Sequence, residues 1–328
     1  MVARLIPALC LLALPVAARA EVNWDRIDLA AERAAIENYQ RFDQRLQDVG
    51  WKLVRGNADF CDRVIPSIGL QLQDLASYGG PAIARRALGM TGDFAVQTAA
   101  RGSPAGTSGA FAQNREVVAL GALDPNRWEA EDRLDWARLK RAHDHVDAQL
   151  EGAGSIKIAF ADGDVANPAA VPVCATRFEL MGDGRKAVAD GERVVIGIKF
   201  EAFSYDEDVF AGVVAHELAH NFLGHTAWLD RNGRGRRNVR RTEREADRLM
   251  PWLMANAGYD PVAAQTFMET WGKRHDGGLL RGRTHDGWDE RAEFIAAEIP
   301  TIRALIEQTG KADWRAYFRR EVDPDAGL

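Results

Sequence analysis

Thirteen residues, VVAHELAHNFLGH at 213–225, combine apolar side chains with histidines and a glutamate at a spacing that can hold a metal ion. His216 and His220 are four residues apart, so on a helix they lie about 40° apart around the axis and on adjacent turns. Both imidazoles can therefore reach one ion at the ~2.0–2.1 Å that is typical of zinc. Glu217 follows His216 directly, which directs its carboxylate towards a water at the metal and not onto the metal. The pattern predicts metal-assisted hydrolysis with Glu217 as the general base.

The alternative interpretation is an ordinary buried helix that carries polar residues. Apolar residues typical of a core helix surround the motif, namely Val213, Val214, Ala215, Leu218 and Ala219. Three buried polar groups in such a helix would each need a partner, whereas one cation satisfies all three together. This argument favours the metal site.

A third protein ligand is expected in the segment TEREADRLM at 242–250, because a catalytic zinc has three protein ligands and one open position. On a helix, Glu243 and Asp247 share one face, while Glu245 lies about 160° away from Glu243. We predict Glu243 as the third ligand and Asp247 as a residue that orients a ligand histidine. The alternative is a charged helix stabilised by exposed ion pairs.

A third histidine of the motif, His225, is one residue closer to His216 than the third ligand of the longer zinc signature. We therefore expect His225 at solvent or beside a ligand, and not on the metal.

These segments resemble the family-48 gluzincin zinc metallopeptidases of the HtpX, BepA and CAAX-prenyl-protease type. The resemblance rests on HELAH at 216–220, EREAD at 243–247 with ANAGYDPVAAQTF at 255–267, and RTHDGWDER at 283–291. It covers roughly 176–300. It implies a zinc-dependent endopeptidase with one Zn²⁺ per chain, bound by His216, His220 and Glu243.

The resemblance also implies roles for two residues of the segment RTHDGWDER. His285 would approach the metal or its reacting oxygen as a catalytic residue, and Arg291 would help to hold the site. Asp286 stands where the family usually has proline.

The elements that must position these residues belong to the second half of the chain. We assign residues 176–328 to a gluzincin metallopeptidase domain. The patterns predict a strand at 192–200, the motif helix, a second helix from about 240 to 257, and a third helix after Pro261. The strand at 192–200 could pair with an extended substrate along its edge.

The first half of the chain has a different organisation. Residues 21–60 form an N-terminal helix and linker, with an amphipathic helix at 25–48 that Gly50 ends. Residues 61–175 are rich in short β-like runs and turns. Within them, AVQTAARGSPAGTSGA at 95–110 and REVVALGA at 115–122 resemble a degenerate PDZ domain, which a helix at 131–150 and a strand at 155–161 would complete.

An irregular insertion packed on the main domain is the alternative to the PDZ-like module. The predicted fold class is therefore α+β, with a mainly helical zincin catalytic domain, a small sheet and a small β-rich PDZ-like module. Such a module would hold extended chain ends by strand addition, which is the typical ligand mode of the PDZ family.

The first twenty residues predict export. MVARLIPALCLLALPVAARA has a basic start, an apolar run and small residues near its end, which is typical of a secretory signal cut after Ala20. A membrane anchor is the alternative, but the apolar run is shorter than the ~20 residues that span a bilayer. We expect a periplasmic protein without a transmembrane segment. In that oxidising compartment, Cys61 and Cys174 are a candidate disulfide, with two separate buried thiols as the alternative.

Charge and the remaining histidines indicate few other partners. The net charge of −6 gives no electrostatic reason to expect nucleic acid as the main partner, and we predict none. We interpret the arginine-rich stretch at 230–241 as a solvated loop, with an anionic partner as the alternative. His143, His145 and His275 are expected at the surface.

Two functions remain open from the sequence. The first is an endopeptidase that cleaves unfolded or extended polypeptides in periplasmic protein quality control. The second is a non-proteolytic, chaperone-like binding factor with a structural or blocked zinc site.

Overall fold

The computed structural model of the protein describes residues 22–130, 136–275 and 285–323. Helices hold 54% of these described residues and strands 16%, so the predicted α+β class is confirmed at this level. The predicted signal segment at 1–20 lies outside the described residues, as do the first residues of the helix predicted at 131–150.

Eleven helices and ten strands are labelled here in chain order among the described residues. The helices are α1 (Leu29–Gly56), α2 (Pro81–Leu88), α3 (Pro104–Ser108), α4 (Ala137–Ala153), α5 (Glu207–Phe222), α6 (His225–Asn232), α7 (Arg236–Asn256), α8 (Val262–Phe267), α9 (Lys273–His275), α10 (Trp288–Thr309) and α11 (Trp314–Tyr317). A π-helical stretch at Met268–Gly272 joins α8 to α9. The strands are β1 (Val64–Ser67), β2 (Leu70–Asp74), β3 (Phe94–Ala99), β4 (Val117–Leu120), β5 (Ile158–Phe160), β6 (Val165–Ala166), β7 (Val171–Cys174), β8 (Arg177–Met181), β9 (Ala187–Ala189) and β10 (Arg193–Gly197).

The strands form four small sheets. In the first half of the chain, β2 pairs antiparallel with β3, and β5 lies between β4 and β6 in an antiparallel sheet. Strand β1 pairs antiparallel with β7. In the second half, β10 lies between β8, to which it is parallel, and β9, to which it is antiparallel.

Two separate hydrophobic clusters stabilise these two halves. The smaller cluster is formed by the inward residues of β2 to β6 together with α4, including Phe94, Ile158 and Phe160. The larger one packs α1, β8 and β10 against α5, α7, α8 and α10. The residues with metal-ligand spacing therefore lie on helices of the larger cluster, whereas the β-rich region has a core of its own.

Helix α1 is longer than the helix predicted at 25–48. Asp28 caps its N-terminus by accepting hydrogen bonds from the backbone N–H groups of Ala30 and Ala31. Gly50 does not end the helix as predicted, because α1 continues to Gly56. A Cβ at position 50 would lie 2.5 Å from the Phe178 ring, so this glycine permits close packing of β8 on the helix.

Cys61 and Cys174 are bonded to each other as a disulfide, with their Cα atoms 5.8 Å apart. This bond closes a loop of the chain with a sequence separation of 113 residues. Next to it, Val64 pairs with Cys174 in the β1–β7 ladder. The disulfide and the ladder together join the two ends of the β-rich region.

Two predictions for the second half of the chain are wrong in detail. The strand predicted at 192–200 is shorter and central in its sheet, so neither of its edges is free to pair with a substrate. The stretch at 230–241 is mostly helical, because α6 extends to Asn232 and α7 begins at Arg236. Within the described ranges, no helix combines the length and apolarity needed to cross a membrane.

Candidate metal centre

Helix α5 carries the motif residues 216–220 and is otherwise mainly apolar. Phe210, Val214 and Leu218 are fully buried, so packing against neighbouring elements stabilises the helix on several sides. Two acidic residues in its first turn interact favourably with the positive end of the helix dipole. The helix is therefore stable enough to hold polar side chains in fixed positions.

The structure brings His216, His220 and Glu243 together as a candidate metal-binding triad. The Nε2 atoms of the two histidines are 3.3 Å apart. Glu243, on α7, places Oε2 3.4 Å from His216 Nε2 and Oε1 3.6 Å from His220 Nε2. A tetrahedral zinc with ligand distances of ~2.0–2.1 Å needs ligand atoms about 3.3–3.4 Å apart. The three separations fit such an ion without rearrangement of the helices.

The triad is not sealed from solvent. The side chains of His216, His220 and Glu243 are 11%, 13% and 18% exposed. A metal held by these three groups would keep a side open to water or to another ligand, which is the arrangement of catalytic and not of structural zinc sites.

The charges of the triad match a cation. Burial lowers the pKa of His220 to about 3, so this imidazole is neutral and able to bind a metal. Burial also acts on His216, but the carboxylates of Asp247 and Glu243 outweigh it and raise the pKa of His216 to about 10. The metal-free site therefore holds one proton on His216 that a divalent cation would displace.

Asp247 and Arg291 lie directly behind His216. Asp247 Oδ1 is 3.1 Å from His216 Nδ1. The contact is an ion pair and not a hydrogen bond, because His216 Nδ1 has no hydrogen-bond partner within the described residues. Arg291 donates from Nε and Nη2 to the two oxygens of Asp247 at 2.6 and 2.7 Å. Burial alone would raise the pKa of Asp247, but Arg291 and His216 hold it below its ordinary value.

His225 lies beside His220, within the alternatives expected for it. Its Nδ1 is 2.9 Å from His220 Nδ1, and its Nε2 is 2.9 Å from Glu245 Oε2. Both His225 and Glu245 are buried. Helical spacing correctly predicts that Glu245 and Glu243 lie on opposite faces of α7. It does not indicate that other residues also bury the face of Glu245, so the sequence predicted no partner for this residue.

Glu217 lies next to the triad without being part of it. Burial raises the pKa of its carboxyl to about 7, and the charge of Glu243 acts in the same direction while His216 opposes it. No hydrogen bond or ion pair joins this carboxylate to the described parts of the chain. A carboxyl group in this state can both accept and release a proton near neutral pH.

His285 contacts the third residue of the triad. Its Nε2 is 3.0 Å from Glu243 Oε2, and its side chain is 46% exposed. Asp286, the next residue, is paired with Arg244 at 2.8 Å. This ion pair holds Asp286 against α7, while residues 283 and 284 lie outside the described ranges.

Asn221, directly after the second histidine, joins α5 to the β9–β10 hairpin. Its Oδ1 accepts a hydrogen bond from the backbone N–H of Gly191 at 2.7 Å, and its Nδ2 donates to the carbonyl of Arg193 at 3.0 Å. No described strand pairs with the outer edge of β9. An edge of β9 that pairs with no described strand is therefore held beside the helix that carries His216 and His220, whereas the sequence predicted such an edge on the strand at 192–200.

The three remaining histidines, His143, His145 and His275, do not contact the triad. The prediction that His143 is a surface residue is wrong, because it is buried and its Nε2 accepts a hydrogen bond from the Leu72 N–H at 3.3 Å. His145 is half-buried and contacts the carbonyl of Leu120. His275 is exposed, as expected.

Comparison with known proteins adds no relative to this description: no protein-family model, no curated protein and no solved structure matches the chain.

Proposed function

We propose that the protein is a zinc-dependent endopeptidase of the gluzincin type, with a mainly helical zincin domain at 176–328. The observation that carries this proposal is the separation of the triad atoms, 3.3, 3.4 and 3.6 Å, which fits a tetrahedral zinc. The donor set supports it too, because two imidazoles and one carboxylate are typical of zinc sites that catalyse peptide hydrolysis.

Zinc bound in such a site would supply Lewis-acid chemistry, acidifying water and polarising a carbonyl group. Glu217 would remove the proton of the attacking water and transfer it to the leaving amine, a role for which a pKa of about 7 is suited. His285 would donate a hydrogen bond to the oxygen on which negative charge develops. Asp247 and Arg291 would hold the His216 ring in place.

An extended polypeptide is the substrate class that the neighbouring strand favours. Gly197 N–H donates to the Lys186 carbonyl and Asp190 N–H donates to the Arg193 carbonyl across the β9–β10 pair. Backbone groups alternate in direction along a strand, so those of Ala187 and Ala189 face the free edge. A substrate in extended form would add to this edge beside the metal.

We further propose that the β-rich region at 61–175 is a PDZ-like module that binds the ends of extended polypeptide chains. A cavity of about 1140 Å³ lies between α1, β2, α4 and β8, and none of the triad residues lines it. The backbone N–H of Leu72 on β2 already donates to His143, so strand addition at this position would have to displace that ring.

A non-proteolytic, chaperone-like binding factor is the second candidate. The contact between His285 and Glu243 favours it, because a histidine 3.0 Å from a ligand oxygen can occupy the position that a substrate carbonyl needs. Export to the periplasm is part of both proposals and rests on the signal predicted from the sequence at 1–20.

The test compares cleavage of an unfolded polypeptide such as reduced casein by the zinc-loaded wild type, Glu217→Gln and the exposed control Glu307→Gln. We expect Glu217→Gln to bind one zinc and to lose about 10²–10⁴-fold in rate, while the control is unchanged. Undiminished cleavage by Glu217→Gln would exclude the assigned base. Absence of chelator-sensitive cleavage by the wild type, together with faster cleavage by His285→Ala, would favour the blocked site.

A further inference from the structure

Two imidazole rings meet behind the triad, on the side away from Glu243. His220 Nδ1 and His225 Nδ1 are 2.9 Å apart. A hydrogen bond between two ring nitrogens needs one that carries a proton and one that does not. The distance therefore requires the two rings to adopt complementary tautomers.

The position of the metal ligand determines which ring donates. His220 points its Nε2 at the other triad atoms, and a nitrogen that binds a metal carries no proton. The neutral His220 ring then carries its proton on Nδ1 and donates it to His225 Nδ1. His225 in turn must be protonated on Nε2, from which it donates to Glu245 Oε2 at 2.9 Å.

Glu245 is held by the end of the described chain, which leaves one oxygen for His225. Its Oε1 accepts from Arg320 Nε and from the backbone N–H of Val322, each at 3.0 Å, and from the N–H of Glu321. The Glu245 side chain has no exposed surface. The carboxylate is thus fixed as an acceptor, and an acceptor at that point selects the Nε2–H tautomer of His225.

We propose that His225 and Glu245 are positioning residues that fix the tautomer and the ring orientation of His220 for metal binding. The proposal rests on the proposed metal centre, and it deepens that function by extending the site to a chain of three side chains, His220, His225 and Glu245. Gly224, with φ of 66°, allows the chain to turn after α5, and His225 is the first residue of α6. The turn places the His225 ring against His220.

The alternative is that His225 only fills space in the core. Phenylalanine would fill a similar volume but would leave the His220 Nδ1–H without an acceptor. His143 provides a matched control, because it is also a buried histidine with a ring nitrogen in a hydrogen bond, and its partner Leu72 belongs to the other hydrophobic cluster.

The first experiment measures Zn²⁺ affinity by chelator competition for the wild type, His225→Phe, His225→Asn and His143→Phe. We expect His225→Phe to bind zinc about 10–100-fold more weakly, the usual effect of losing a partner of a ligand histidine. His225→Asn keeps an acceptor near the Nδ1 position and should recover part of this loss. His143→Phe should bind zinc like the wild type even if its unfolding temperature falls.

The second experiment does not depend on whether the variants fold. Long-range ¹⁵N–¹H NMR spectra of the histidines in the zinc-bound wild type identify the protonated nitrogen of each ring. We expect His220 protonated at Nδ1 and His225 protonated at Nε2 with a bare Nδ1. A proton on His225 Nδ1 would overturn the proposal.

The outcomes separate this proposal from the proposed function. Equal zinc affinity of wild type and His225→Phe overturns the positioning role and leaves the endopeptidase proposal standing. Zinc binding that depends on His225, in a protein that cleaves no polypeptide, supports the positioning role and counts against the endopeptidase. A wild type that binds no zinc overturns both.

Discussion

The buried ion pair behind His216 allows a quantitative prediction. Arg291 and Asp247 meet through two hydrogen bonds of 2.6 and 2.7 Å, and their side chains are only 8% and 1% exposed. At this distance and an effective dielectric constant of about 20, their attraction is about 6 kcal/mol. Part of that attraction offsets the cost of removing both charges from water. Replacing Arg291 by Met leaves the Asp247 carboxylate buried beside His216 alone, and we expect the free energy of unfolding to fall by about 3–5 kcal/mol.

The assay is urea denaturation of the metal-free protein, followed by tryptophan fluorescence. Arg303→Met is the matched control, because Arg303 lies on the same helix, α10, in an exposed pair with Asp260 at 3.6 Å. This exposed pair should contribute less than about 1 kcal/mol. The double variant Arg291→Met/Asp247→Asn removes both charges and should recover part of the loss. If Arg291→Met destabilises the protein no more than Arg303→Met does, the argument from the buried pair is refuted.

Three further predictions concern pH and covalent structure. Zinc affinity should rise about tenfold per pH unit between about pH 6 and 8, because zinc binding displaces one proton from His216, whose pKa is about 10. Calorimetry of zinc binding in buffers of different ionisation enthalpy should show the release of about one proton. Burial lowers the pKa of His143 to about 3, below the 6.5 of the unfolded chain. Its contribution to the free energy of unfolding is therefore fully present above pH 6.5, and the free energy of unfolding falls by about 1.4 kcal/mol per pH unit as the pH falls from 6.5 towards 3. His143→Phe should flatten this part of the stability curve, and an unchanged slope would contradict the assignment. The double variant Cys61→Ala/Cys174→Ala opens a loop with a sequence separation of 113 residues. Loop-closure entropy predicts a loss of up to about 5 kcal/mol in the free energy of unfolding, which urea denaturation can measure. A loss near zero would show that the disulfide does not restrain the unfolded chain.

The triad could be predicted from the sequence because the spacing of its residues within each helix indicates which side chains share a face. His216 and His220 lie one turn apart on one helix, and Glu243 and Asp247 repeat that relation on another. The apolar residues around the motif predicted a buried helix. The expectation that a catalytic zinc has three protein ligands then predicted that Glu243 lies beside the two histidines.

The parts that sequence analysis missed depend on tertiary contacts. Helical spacing shows which residues share a face, but it does not show what covers each face, so Glu245 had no predicted partner. As a glycine, Gly50 was predicted to end the helix. In the structure it lies within α1 and leaves room for the Phe178 ring, which packs against the helix at this position. The β-branched residues of β10 predicted a strand correctly, whereas their neighbours in the sheet, β8 and β9, determine that its edges are not free.

Helix α7 supplies three carboxylates at alternate positions, Glu243, Glu245 and Asp247. Two residues along a helix correspond to about 200° of rotation. Glu243 and Asp247 therefore face α5, while Glu245 faces the opposite direction and can reach the site only through another side chain. Helix α6, which follows the turn at Gly224, places His225 between His220 and Glu245. Each histidine of the triad is thus supported by a carboxylate of α7, His216 directly and His220 through His225. A change in the packing of α7 would therefore disturb both histidines together.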